Sequence, residues 1–155
     1  MSDKEFMNLA IGIAEENISK GGGPFGAVIV KDGKVVARSG NSVTVDKDPT
    51  AHAEVNCIRK ACQVLDTFDL SGCVIYSSCE PCPMCLSAIY WARLDKLFYA
   101  ATRHDAASAG FDDDFIYREI SFADRERSLH CEHINMESSC KPFDCWQKKA
   151  DKVEY

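Results

Sequence analysis

Gly26-Ala27-Val28-Ile29-Val30-Lys31-Asp32-Gly33-Lys34-Val35-Val36-Ala37-Arg38-Ser39 is the stretch that decides the architecture. Apolar runs at 26–30 and 35–39 flank Lys31-Asp32-Gly33-Lys34. Asp-Gly between such runs is the strongest short-range hairpin signal, because the turn needs positive φ at both central residues. An antiparallel pair is predicted. Upstream, Phe6, Leu9, Ala10, Ile13, Ala14 and Ile18 recur at helical spacing until Gly21-Gly22-Gly23-Pro24 stops the helix. Downstream, 51–64 read as a helix with Val55, Ile58 and Cys62 on one face, and 73–77 as a short buried strand. Pro81 and Pro83 suit the first turn of a helix reaching Trp91, where a missing N–H costs nothing, and 96–100 form a further strand. Strands alternating with helices imply an α/β protein: a mixed central sheet covered on both faces, in three layers α/β/α. Beyond Ser121 the pattern weakens to a predicted strand at 131–136 and a last helix at 143–150.

A chain of 155 residues suits a single domain, 1–155, with a core of its own. Its composition, 46% hydrophobic and 27% charged, is that of a folded chain rather than a disordered one. With 18 Lys plus Arg against 24 Asp plus Glu, the net charge of -6 repels a phosphate backbone, and no basic cluster offsets it. Nucleic acid is not the expected partner. Nor is a membrane, since the longest apolar run, 25–30, falls far short of the roughly 20 residues a bilayer span needs. Asp3, Lys4 and Glu5 precede an amphipathic stretch that lacks a secretory h-region, so the cytoplasm is the expected compartment. Nine cysteines, an odd number, fit a reducing environment in which thiols stay free or bind metal.

The chemistry concentrates at two predicted helix starts, His52-Ala53-Glu54 and Pro81-Cys82-Pro83-Met84-Cys85. Cys82 and Cys85, three apart, share a helix face where two thiolates can bind one zinc, with His52 as third ligand. Three protein ligands leave the fourth position open for water, as in catalytic rather than structural zinc sites. A helix N-terminus also favours the thiolate form. Glu54 sits beside the ligand His52 without having to bind metal, which suits a general acid and base. H-x-E with P-C-x-x-C is the signature of zinc deaminases. A C-x-x-C pair alone is often redox-active or structural, and a lone His is usually a core side chain; the combination carries the reading.

Over nearly its whole length the chain resembles the bacterial guanine deaminases of the cytidine deaminase-like zinc deaminase superfamily. The matching residues are 23–30, 48–54, 78–85, Ile89-Tyr90-Trp91-Ala92-Arg93 and Ala109-Gly110-Phe111-Asp112-Asp113, with Glu154-Tyr155 at the end. The resemblance implies an aminohydrolase acting on a cyclic amidine: zinc, one per subunit, and hydrolysis of guanine to xanthine and ammonia in purine catabolism. It implies substrate contacts from Asn41, Ala53 and Asp113, and a homodimer in which the tails, 140–155, exchange so that Tyr155 covers the other subunit's site. Phe25, in a glycine-rich loop, and Trp91, at the end of the zinc helix, each offer a ring to stack on a purine. Glu80 is an auxiliary candidate, for orienting the zinc loop or moving protons.

Several features carry blander readings. Phe25 and Trp91 taken singly are more often core, Asn41 a turn residue, the acidic run 112–114 a solvated face, and Tyr155 a frayed end. Cys131, His133, Cys140 and Cys145 match no common zinc-finger spacing. Gly21-Gly22-Gly23 lacks the Lys-Ser/Thr of a phosphate loop, and His104 stands between loop residue and ligand contact. The competing functions are a guanosine deaminase, a tRNA-adenosine deaminase that would need a basic groove, and a non-catalytic zinc module that would have no use for Glu54.

Overall fold

The computed structural model describes residues 1–155. Helix α1 (Asp3–Ser19) starts at a reciprocal cap: Glu5 N–H donates to Ser2 Oγ, and Ser2 N–H donates to Glu5 Oε2 at 2.6 Å. The hairpin forms as predicted, β1 (Gly26–Lys31) against β2 (Lys34–Gly40), with Asp32 at φ 49° and Gly33 at φ 73° in the turn. A short α2 (Val43–Asp46) follows, then α3 (Ala53–Leu65), β3 (Cys73–Cys79), α4 (Pro83–Trp91), β4 (Lys96–Ala101), α5 (Arg103–Ser108) and α6 (Asp113–Ser121). A 3-10 turn (Asp124–Glu126) and α7 (Lys141–Lys148) complete the chain.

The sheet order is β2-β1-β3-β4, antiparallel except for the parallel β3–β4 pair, so the predicted mixed sheet is present. Period-2 alternation divides its side chains between two apolar clusters. Ala27, Ile29 and Ile75 pack with Cys57 and Ala61 of α3 and Ile89 of α4, while Val28, Val30 and Tyr76 pack with Phe6 and Ala10 of α1. Helices therefore cover both faces, which is the three-layer arrangement. Burying a side chain such as Ile29 or Ile75 completely is worth about 1.5–3 kcal/mol, and this drives the layering.

Two boundaries move, and both matter to the chemistry. The helix expected from residue 51 starts at Ala53, with His52 as its extended N-cap, and the zinc helix starts at Pro83, with Cys82 as its N-cap. The chain divides into two compact units, Met1–Tyr117 and Arg118–Tyr155, and the sheet and both clusters belong to the first. The second buries none of its residues; its internal ties include Ser128 N–H and Oγ on Glu119 Oε2, each at 2.8 Å. The strand expected at 131–136 is absent: no neighbouring strand satisfies its backbone; the last helix has the expected length but lies two residues earlier, at Lys141–Lys148.

Tyr76, 3% exposed, donates its hydroxyl to Asp3 Oδ1 at 2.6 Å, tying the start of α1 to β3. Burial and then the Asp3 carboxylate push its phenol up to about 12. The unfolded phenol ionises near pH 10, so this contribution is complete below about pH 10 and is lost as pH rises through about 12. Tyr76→Phe is expected to cost about 1 kcal/mol at neutral pH and to flatten the alkaline fall in stability, read by urea titrations across that window.

Candidate active site

His52 and Cys82 are the N-caps of α3 and α4, and the two helix starts meet above the ends of β1 and β3. His52 Nδ1 lies 3.5 Å from Cys82 Sγ and 3.5 Å from Cys85 Sγ, and the three donor atoms all fall within 4.8 Å of one another. A tetrahedral zinc with Zn–S near 2.3 Å and Zn–N near 2.05 Å has an S–N edge of about 3.6 Å, so these spacings are those of a coordination triangle. The donor set fits zinc by chemistry as well as by distance. Hydrogen bonding to Cys85, then to His52, holds the Cys82 thiol down at about 4, while that same thiolate, and burial, push Cys85 up. His52 is raised by its Cys82 partner.

Glu54, in the first turn of α3, is 5% exposed and accepts from Ser77 Oγ at 2.9 Å through Oε1. Burial pushes its carboxyl above the usual carboxylate range. Ser77 reaches it because β3 lies next to β1 with Ser77 opposite Ala27, a register beyond local sequence patterns.

His52, Cys82 and Glu54 line a cavity of about 370 Å³, together with Phe25, Asn41, Glu80 and Asp113 of the sequence reading. Phe25 is held edge-on by Phe111, ring centroids 4.9 Å apart. Asn41, 8% exposed, accepts from Val43 N–H at 3.1 Å through Oδ1, which leaves its Nδ2 hydrogens as the group available to a bound ring. Asp113 opens α6, its carboxyl raised by burial and by the Cys82 thiolate. Ala53 is fully buried, its methyl in the sheet cluster, so its backbone N–H at the helix start is what remains for a ligand. Trp91 is not brought to the cavity and is 64% exposed, and His104 also lies outside the lining. Tyr155 belongs to the second unit and is 73% exposed.

The sequence reading missed a clamp behind this wall. Glu80 Oε2 accepts the Arg103 N–H at 3.0 Å, and Oε1 lies 3.7 Å from Arg103 Nε. The guanidinium also reaches Asp114 Oδ1 at 3.4 Å and lies 4.5 Å from the centre of the Tyr117 ring, whose hydroxyl donates to Pro81 O at 2.7 Å. Glu80 is thereby held beside the turn before Cys82. Val43, Thr44 and Pro49 of the lining also went unread, since only their place after β2 brings them there.

Residues 1–101 match the family described as the cytidine and deoxycytidylate deaminase zinc-binding region, and the chain belongs to that family. Among individual proteins it is similar to the guanine deaminase of Bacillus subtilis (strain 168), with 52% identity across all of both chains. A solved structure of the guanine deaminase from Bacillus subtilis superposes with a TM-score of 0.98 at 52% identity, covering 100% of this chain and 99% of that one. The tRNA-specific adenosine deaminase of Aquifex aeolicus is 42% identical over 65% of this chain and 67% of its own length.

Tyr117→Phe removes the bond to the Pro81 carbonyl. The expected result is a loss of about 1 kcal/mol in urea unfolding with metal content unchanged.

Proposed function

We propose that this chain hydrolyses guanine to xanthine and ammonia. The observation that carries the reading is the buried Glu54 carboxyl beside the His52–Cys82–Cys85 triangle, in a cavity that also holds Phe25, Asn41 and Asp113. The full-length likeness to a guanine deaminase supports guanine over the bases of the partial relatives.

His52, Cys82 and Cys85 would hold one zinc per subunit, which when bound polarises a water enough to release a proton near neutral pH. Glu54 takes one proton from the attacking water and passes it to a ring nitrogen as the C2–O bond forms. It then takes the second from the added hydroxyl and passes it to the exocyclic amine, whose bond to C2 breaks as the C2 carbonyl forms and ammonia leaves. Ser77 fixes the orientation of the carboxyl, and burial raises its proton affinity. Phe25 supplies the stacking ring, Asn41 a donor and Asp113 an acceptor for a ring N–H. Ala53 adds its backbone N–H.

We also propose a cytoplasmic homodimer in which the segment 140–155 exchanges and Tyr155 closes the other subunit's site. Support comes from the second unit, which buries nothing and leaves Phe143 68%, Val153 62% and Tyr155 73% exposed. No helix is long and apolar enough to cross a membrane.

Ammonia release from guanine, guanosine, adenine and cytosine tests the reading: guanine should be the preferred substrate, and preference for another base would overturn it. Glu54→Gln should keep its zinc and lose at least about 100-fold in kcat; retention of more than about 1% of the rate would remove Glu54 from proton transfer. Deleting Glu154 and Tyr155 should leave a zinc-loaded dimer with much slower turnover. A wild-type rate, or a monomer by light scattering, would contradict the shared site.

A further inference from the structure

We propose that Asn17, on the last turn of α1 and outside the zinc machinery, is a positioning residue for the purine. Its side-chain amide staples the two strands of chain that form one wall of the cavity. Nδ2 donates to Gly23 O at 2.7 Å and to Asn41 O at 2.7 Å, using both hydrogens of the amide on carbonyls 6 and 24 residues away. The Asn17 backbone carbonyl accepts from Gly22 N–H at 3.0 Å. Gly22, Gly23 and Asn41 line the cavity, and Asn41 N–H donates to Phe25 O at 3.1 Å, so the stapled unit carries the stacking ring and the amide together.

The glycines around Asn17 point the same way. A Cβ on Gly22 would collide with Asn17 Nδ2 and the Asn41 carbonyl, and the three nearest atoms to a Cβ on Gly40 all belong to the Asn17 amide. Both backbones therefore approach Asn17 more closely than any side chain permits. Gly21-Gly22-Gly23 is also the segment with most conformational entropy to lose, so it needs an external tie to hold one geometry. Without the staple, the unit of Phe25 and Asn41 is no longer fixed against α1 and the 21–23 loop, and the cavity wall shifts relative to the zinc ligands and Glu54. Asn17 therefore acts on substrate binding and not on the proton transfer.

The inference rests on the guanine reading, and the test separates the two. In Asn17→Ala the KM for guanine should rise about tenfold or more while kcat changes by less than about threefold and zinc content is unchanged. Amide hydrogen exchange across 21–25 should accelerate. Gly40→Ala should reproduce the KM effect by pushing the Asn17 amide away, yet add nothing in the Asn17→Ala background, where its obstacle is gone. If Asn17→Ala folds poorly, Asn17→Ser, which keeps one donor, should give an intermediate KM. Unchanged KM in the single variants, or independent, multiplying effects of the two substitutions, would overturn the proposal, as would a lower melting temperature with unaltered KM and exchange. A wild type that releases no ammonia from guanine defeats the functional reading instead, and the exchange measurement still decides whether the staple exists.

Discussion

The contact on which the rest depends is the approach of two helix starts, where His52 Nδ1 stands 3.5 Å from both cysteine sulfurs. An N-cap residue has an extended backbone and points away from its helix axis, so an N-cap ligand on each helix can face a common point. The unpaired N–H groups and dipoles at those starts favour the negative charge that two thiolates bring. The sheet sets the distance. α3 lies on β1 and β2 through Cys57 and Ala61, and β3 runs directly into the turn that carries Cys82. Gly26 N–H donates to Ser78 Oγ at 3.0 Å, locking the start of β1 to the end of β3 beneath the site.

Burial then differentiates the groups. Hydrogen bonding holds Cys82 down and pushes Cys85 up, and Glu54, screened from water, accepts from the Ser77 hydroxyl. A carboxyl so placed binds its proton more firmly than an exposed one and lines the same cavity as His52 and Cys82. Asp113 is raised for a related reason, and it stands on a helix held to the zinc turn by Arg103 and Tyr117. The His52–Cys82–Cys85 triangle and the cavity wall that carries Asp113 are thus braced against each other through Arg103 and Tyr117.

What could be read in the sequence was what local spacing fixes. Asp32-Gly33 specified the hairpin because its turn requires positive φ, and the ligand pair was legible because Cys82 and Cys85 are one helical turn apart. Trp91 was misplaced although periodicity bears on it: six residues beyond Cys85, at 100° each, it lies about 120° round the helix from the ligand face. Ser77, Arg103 and Asn17 were invisible, since their partners lie 23, 23 and 24 residues away and are chosen by strand register and loop packing. The strand at 131–136 failed because Cys131, Ile134 and Met136 lack strict period-2 spacing and no other strand offers its backbone there.

The central claim is an open zinc triangle built from one imidazole and two thiolates, and X-ray absorption at the zinc edge of the purified protein tests it most directly. The account predicts one zinc per chain with two sulfurs near 2.3 Å and two light N/O atoms at about 2.0–2.1 Å, the second of them exchangeable solvent. A shell of three or four sulfurs, or stoichiometric zinc retained with the same shell after Cys82→Ala, would contradict it.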